Sequence, residues 1–458
     1  MDMLRRSLGP DDRSEASGED KGLLLASTSP SSHVDVVDLS TAVPLEIQQP
    51  EIRRPPRDRF HLCYVLYFTL GTGVLFPWNA FITAVDYFET LYPGRHVDRV
   101  FAVTYMLPNL VILGLLLVVP LGASQSARIY VGFLVYIACL LVIPFLDLDW
   151  VREAVDTESR FTATVAAVAI TGLADGVAQG SVFGSASHLP PEFTQAVVSG
   201  TSVSGVVVSF LRIATKAVLS QDENGLREST YLYFASAGLF CILCIASQAV
   251  LPKLAFRRYF DARRDASVAR SYDAPAKLGS HGEPPSSLSL MQIMRSSWVQ
   301  KLAAGLFLAY TVTLSIFPGV LAEDVESKAL NSWYPILLIT LFNVADFVGK
   351  SSPMAKRFRM QSPNHLFILA MGRTVFYALY AFAAFGPAFI RHDPLGPFYV
   401  SAITCCLGFS NGFLTANCLM EAGRKANLAD AEKTEMLMVW FLLLGLFAGA
   451  LLGWIWLI

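Results

Sequence analysis

The chain has 458 residues, of which 53% are hydrophobic and only 16% charged, and its formal net charge is -2. A soluble domain carries roughly 25% charged residues, so charge this sparse in long apolar runs predicts a polytopic membrane protein. The balance excludes a basic nucleic-acid surface, and neither a phosphate-binding loop nor a dinucleotide fingerprint is present.

Residues 1–58 are polar and aperiodic and read as a disordered tail. No apolar h-region begins the chain, so no cleaved signal peptide is expected. Within the tail, Glu19, Leu23 and Leu24 have the spacing of an acidic dileucine sorting signal.

Eleven apolar spans follow, at 62–85, 98–120, 128–146, 160–185, 194–219, 229–251, 298–321, 332–355, 364–390, 396–420 and 434–457. Residues 252–297 carry Arg257, Arg258, Arg263, Arg264, Arg270 and Lys277, Pro284-Pro285 and a serine run, and read as a flexible basic loop. The predicted organisation is a six-helix bundle over 59–251, the loop, and a five-helix bundle over 298–458. Arg53, Arg54, Arg57 and Arg59, the basic loop, and Lys356-Arg357-x-Arg359 fall on one side if the spans alternate. Acidic turns, Asp147 to Glu158 and Glu323 to Glu326, fall on the other. That bias predicts a cytosolic amino terminus, and the odd span count puts the carboxyl terminus outside or in a lumen.

The two sets of spans echo each other. Phe76-Pro77 in span 1 matches Phe317-Pro318 in span 7. Asn109 in span 2 matches Asn343 in span 8, and the Asp175-Gly176 step of span 4 matches Asn411-Gly412 of span 10. These matches predict a parallel repeat in which span n corresponds to span n+6. The halves of a major-facilitator bundle are related in this way, with the substrate site between them near the midplane. Pro77 and Pro318 are expected to kink the first helix of each half.

Span 8 holds the most costly feature. Asn343, Asp346 and Lys350 lie at i, i+3 and i+7 on one helix face. A lone charge at that depth costs at least about 2.5–3.5 kcal/mol, and such groups face a bundle interior or a water-filled cavity. A structural ion pair would produce the same pattern; a polar-solute pathway is the functional reading. On span 4, Gly172, Gly176, Gly180 and Gly184 form a row that permits close helix contact. Asp175 and Gln179 lie beside that row, one turn apart. Arg212 and Lys216 near the end of span 5 are expected to snorkel toward the interface. All seven cysteines fall in apolar segments, so no disulfide is expected, and Cys241-x-x-Cys244 reads as buried thiols rather than a redox pair. The histidines have no metal-ligand spacing.

Carboxylate and ammonium groups hold vicinal hydroxyls by charge-assisted hydrogen bonds, Trp78 and Phe317 offer flat apolar faces, and Gln179 can pair with a base edge. These groups alone leave a sugar, a nucleobase and an organic cation open. A membrane enzyme would need a catalytic cluster, and Asp147-Leu148-Asp149, the one such pattern, is better explained as an acidic turn.

The motifs resemble the equilibrative nucleoside transporter family, and its plant branch most closely. The resemblance rests on Gly71 to Phe88 with Pro77-Trp78-Asn79, and on Gln179-Gly180-Ser181-Val182-Phe183-Gly184. It rests also on Phe317-Pro318, on Phe342-Asn343-x-x-Asp346-x-x-Gly349-Lys350 and on Gly408-x-Ser410-Asn411-Gly412. It implies an all-α, eleven-helix, major-facilitator-like bundle that moves purine and pyrimidine nucleosides by alternating access, as a monomer, without cofactor or metal. The home membrane is expected to be the plasma or vacuolar membrane. The resemblance assigns Asp346 and Lys350 to the ribose, Gln179 to the base, and Trp78, Asn79, Phe317 and Asn343 to the cavity. Two residues depart from the family pattern. Lys350 stands where arginine is common and cannot make arginine's planar bidentate contact. Asp175 is a second intramembrane acid, which makes Asp175 and Asp346 the candidates for proton coupling.

Overall fold

A computed structural model describes residues 55–119, 124–220, 222–273, 288–317, 330, 333–385 and 395–453. The dileucine residues Glu19, Leu23 and Leu24 and the expected kink at Pro318 lie outside these residues. Every regular element among the described residues is helical.

The long helices are α1 (Leu62–Thr83), α3 (Val97–Val118), α4 (Gln125–Leu146), α6 (Thr157–Ala186), α7 (Pro191–Val218) and α8 (Glu223–Val250). After them come α11 (Ser297–Ile316), α12 (Tyr334–Ser351), α13 (Pro363–Gly372), α14 (Val375–Phe385), α15 (Leu395–Lys425) and α16 (Ala431–Leu452). Short helices α2 (Val85–Leu91), α5 (Asp149–Ala154) and α10 (Leu290–Arg295) and the nineteen-residue α9 (Ala255–Asp273) lie between them. Ten helical stretches among the described residues are long and apolar enough to cross a membrane. The eighth expected span, α12, is not one of the ten, because Asn343, Asp346 and Lys350 dilute its apolarity.

Helix starts and stops follow local chemistry. The side chains of Ser124, Asp156 and Asp222 cap α4, α6 and α8, satisfying amide donors that have no intrahelical partner. Ser289 and Gln292 form a capping box on α10. The ninth span is not continuous. It breaks at Arg373-Thr374 between α13 and α14, and the break carries the Arg373 guanidinium into the interior.

The predicted repeat is reproduced by the packing. In α1–α8, α1 packs on α7, α3 on α6, and α4 on α6; in α11–α16, the corresponding contacts are α11 on α16, α12 on α15, and α13 and α14 on α15. Contacts between the two sets are also paired, α3 against α16 and α12 against α7, then α6 against α16 and α15 against α7. Glycine sets the closest of these approaches. A Cβ on Gly176 would lie 2.7 Å from the Asn109 carbonyl oxygen, and one on Gly412 would lie 2.1 Å from the Asp346 carbonyl oxygen. Span 4 and its counterpart thus use equivalent glycines to bring backbones together.

Part of the expected 252–297 loop is helical among the described residues. Residues 255–273 form α9. Phe256 packs on Phe193 of α7 with ring centroids 5.0 Å apart, Arg257 and Asp261 pair at i, i+4, and Arg257 is buried against Tyr67 and Ser185. Aromatic residues at helical spacing anchor a segment whose basic content alone reads as solvated. Cys63, Cys139, Cys241, Cys244 and Cys418 are buried free thiols, whereas Cys405 and Cys406 are exposed on α15.

Candidate functional site

Alternation of the helices gives the bundle a basal face, where α1, α4, α7, α11, α13 and α16 begin. Two polar centres lie within the bundle, one in each half.

The centre in α11–α16 is built around Asp346. Its carboxylate accepts from Ser202 Oγ at 2.6 Å and Asn411 Nδ2 at 2.8 Å, and it pairs with Lys350 Nζ at 2.9 Å. Lys350 also donates to Thr201 Oγ1 at 3.3 Å. Both charged side chains are buried, so water supplies little of their solvation. Asn343, one turn before Asp346, donates to Ser209 Oγ at 2.8 Å and to the Gly205 carbonyl at 3.4 Å. Ser202, Thr201, Gly205 and Ser209 all belong to α7, so the Asp346 face looks across the contact between the two sets of helices.

Arg373 completes this centre. It donates to the Ala309 carbonyl (2.9 Å), Thr313 Oγ1 (2.8 Å), the Leu407 carbonyl (3.1 Å) and Asn411 Oδ1 (3.2 Å), and its Nε has no hydrogen-bond partner. One amide, Asn411, therefore accepts from the guanidinium and donates to Asp346. Arg373 is visible in the sequence as a cation in an apolar span, but only its burial and its bonds to α11 and α15 show that it points inward rather than snorkelling.

The centre in α1–α8 is built around Asp175, which is fully buried. Its oxygens accept from Tyr136 Oη at 2.6 Å, Asn109 Nδ2 at 2.6 Å and Tyr105 Oη at 2.7 Å. All three donors are neutral, and no cation pairs with it among the described residues. Trp78 stacks on Tyr105 with centroids 4.4 Å apart. One turn along α6, Gln179 is buried and its Oε1 is unpartnered.

Of the residues singled out in the sequence, Asn343, Asp346 and Lys350 therefore share one centre. Asn79 is tied to the same α7 surface, donating to Ser204 Oγ at 2.8 Å. Phe317, at the end of α11, stacks on Phe342 with centroids 4.1 Å apart, next to Asn343 in sequence. Trp78 and Gln179 lie with Asp175 instead. The α7 row of Thr201, Ser202, Ser204 and Ser209, which links Asn79, Asn343, Asp346 and Lys350, was not legible as a site. Its serines and threonines look like packing residues, because hydroxyls in an apolar helix usually bond their own preceding turn, as Ser204 does to the Thr201 carbonyl. Arg212 does not snorkel freely. It forms an ion pair with Asp86 of α2, while Lys216 sits over the Trp333 ring at 5.4 Å.

At the basal face, two ion pairs join the halves. Arg128 at the start of α4 meets Glu432 at the start of α16 at 2.5 Å, and Arg359 after α12 meets Glu192 at the start of α7 at 2.7 Å. They occupy corresponding places in the repeat. Between α6 and α7, His188 is buried, and burial pushes its imidazole down to about 4. Arg264 pushes in the same direction, and Glu432, Asp261 and Asp265 push against it.

Comparison with known proteins bears on the family and the fold. The nucleoside transporter family profile matches residues 165–458. The chain is 40% identical to the Arabidopsis thaliana protein named equilibrative nucleotide transporter 1, over 91% of each chain. It is 38% identical to equilibrative nucleotide transporter 8 of the same plant, over 88% of this chain and 97% of that one. Among solved structures, the major facilitator superfamily proton:xylose symporter XylE superposes with a TM-score of 0.59 at 14% identity, over 87% of this chain and 89% of that one. A bacterial homologue of the iron transporter ferroportin superposes with a TM-score of 0.52 at 14% identity, over 87% and 91%. At such identities these two show the fold and nothing of the cargo. The fold is major-facilitator-like, the chain is a multi-pass membrane transporter and not an enzyme, and it belongs to the nucleoside transporter family.

Proposed function

We propose that this transporter carries nucleosides by alternating access, with α1–α8 and α11–α16 rocking about the contact at which Asp346 and Lys350 sit. The observation that carries the reading is the Asp346 centre. It is a buried carboxylate–ammonium pair on α12 whose remaining bonds reach α7 of the other half, so that cargo bound there is held by both halves. In this reading α12 counts as the eleventh membrane-crossing helix. The basal face is cytosolic, as the basic residues near α1 and after α12 indicate.

The carboxylate and ammonium take the vicinal hydroxyls of a ribose, exchanging the Ser202 and Thr201 bonds for bonds to cargo. Gln179, with a free Oε1 in a buried setting, accepts from the amino edge of a base. Trp78, Asn79, Phe317 and Asn343 line the path. Because Lys350 offers a point charge rather than a planar fork, it grips one ribose oxygen at a time. An organic-cation carrier is the less favoured reading, since Asp346 already holds three donors and two buried cations, Lys350 and Arg373, stand near it. Asp175, which has only neutral donors, is the acid left free to take a proton in a coupled cycle.

The test is uptake of labelled adenosine and uridine into liposomes containing the purified protein, with and without an imposed pH gradient. Uptake of either nucleoside, lost in Asp346→Asn, is expected. No uptake of any nucleoside under either condition, or competition by monoamines as strong as by unlabelled nucleoside, overturns the reading. Gradient-driven uptake that survives in Asp175→Asn removes Asp175 as the coupling acid.

A further inference from the structure

Another buried acid lies outside both polar centres. Glu435, in the second turn of α16, is 0% exposed, and neither carboxyl oxygen has a hydrogen-bond partner. No ion pair reaches it among the described residues. It lies against Gly423 near the end of α15, where a Cβ would come within 2.9 Å of Glu435 Oε1. Thr194 Oγ1, which belongs to α7 in the other half, is 3.8 Å from the same point, and it too is buried without a partner. Two orphaned polar groups thus converge on one glycine across the contact between halves, one turn from the Arg128–Glu432 pair.

The surrounding charges are engaged elsewhere. Glu432 on the same helix holds Arg128. Glu421 on α15 holds Arg424 and Lys425, and Glu192 on α7 holds Arg359. Asp430, just before α16, accepts from the Leu288 amide. His188, between α6 and α7, lies among Arg264, Asp261, Asp265 and Glu432. Lys301 lies on α11, which packs along α16, and no ion pair joins it to Glu435 among the described residues. A carboxylate enclosed in this way, with no cation and only the Gly423 backbone amide beside it, neutralises by taking up a proton.

We propose that Glu435 is a proton-binding site of the basal gate, protonated while that face is closed and ionised when the halves part there. This rests on the alternating-access reading. Parting α7 from α16 carries Thr194 away from Glu435 and admits water, and the O–H bond then breaks to release the proton to the basal solution. The linkage has a definite sign. Because the closed state binds the proton, acid on that face favours closure and alkali favours opening, by up to about tenfold per pH unit for one proton. His188 acts in the opposite sense, since its burial disfavours the charged ring and acid favours the state that exposes it, so the two are separable.

The test reads conformation rather than transport. Spin labels are placed at Lys253→Cys and Lys356→Cys, exposed positions on the basal ends of the two halves, in a Cys405→Ser, Cys406→Ser, His188→Gln background. Inter-label distances are measured in nanodiscs across pH 5 to 9 without cargo. The expected result is a closed population that falls with rising pH in the parent and loses that dependence in Glu435→Gln, which stays closed. Thr194→Val, which removes a polar neighbour from the other half, is expected to shift the midpoint while keeping the slope. The same pH dependence in Glu435→Gln as in the parent overturns the proposal. So does a shift produced by sodium at fixed pH, which would mark a cation site instead. If neither parent nor variant changes distance under any condition, including saturating adenosine, the alternating-access reading fails rather than this site.

Discussion

The two centres occupy related places in a repeated fold and are wired differently. Span 4 contributes Asp175, and its counterpart in span 10 contributes Asn411. In the first half the acid is held by two phenols and an amide, all neutral. In the second half the acid has moved to span 8, and the neutral Asn411 mediates between Asp346 and Arg373. Among the described residues, the second centre holds one anion and two cations, the first one anion and no cation. Removing a partner from a buried, paired charge is far more damaging than removing one neutral donor. Under the proposed function, charge recognition falls to the second half, and the first half holds the acid proposed for proton coupling.

The largest effect is expected where the pairing is densest. Asp346→Ala leaves Lys350 and Arg373 buried without an anion. It should abolish uptake and lower stability by about 3–5 kcal/mol, measured as loss of substrate-dependent thermal stabilisation and of the folded fraction in detergent. Asp175→Asn keeps shape and lets the phenols rotate to donate or accept. It should cost about 1–2 kcal/mol or less, and equal losses at the two sites would collapse the distinction.

Gly412→Ala comes next. Its Cβ would meet the Asp346 backbone at 2.1 Å, so helix α15 must shift by a few tenths of an ångström or more. A loss of about 1–3 kcal/mol and a fall in nucleoside affinity are expected. Gly176→Ala at the equivalent place should destabilise by a similar amount, through Ile112 and Asn109. Tyr136→Phe removes one of three donors from Asp175 and should cost about 1 kcal/mol. It should also move the pH profile of uptake more than Tyr377→Phe, whose hydroxyl meets Ser315 rather than Asp175.

The smallest expected effect is at His188. Its imidazole is depressed to about 4 when buried, against about 6.5 when exposed. The stabilisation of the closed basal face associated with it is complete above pH 6.5 and is lost as pH falls toward 4. Thermal denaturation between pH 7 and 5 should therefore be less steep in His188→Gln than in the parent. An unchanged slope would show that the ring stays neutral in every state.

Much of this was legible in the residues. Asp346 and Lys350 announced themselves because charge in an apolar helix is costly and their spacing allows a pair. The repeat was legible because Asn109, Asn343, Asp175 and Asn411 recur at similar offsets, and the main helix contacts follow it. The α7 hydroxyls were not legible, because a serine in a helix carries no signal until its neighbour is known. Helix α9 was misread because basic residues dominate its composition, whereas its fate is decided by Phe256 and by Arg257 reaching Tyr67 and Ser185. Glu435 gave no signal because an acid two residues inside a predicted span end reads as an interfacial charge.

The sequence by itself determined that the chain lives in a membrane, that it is built twice over, and that one helix face carries charge through the apolar interior. These follow from transfer free energies and helical periodicity, which are local. Tertiary structure decided which groups meet: Asp346 with α7, Arg373 with Asn411, and Glu435 with nothing but a glycine and an unpartnered threonine. Partner choice depends on how rigid helices cross, and glycine backbones such as Gly412 and Gly176, rather than the polar residues themselves, set those crossings.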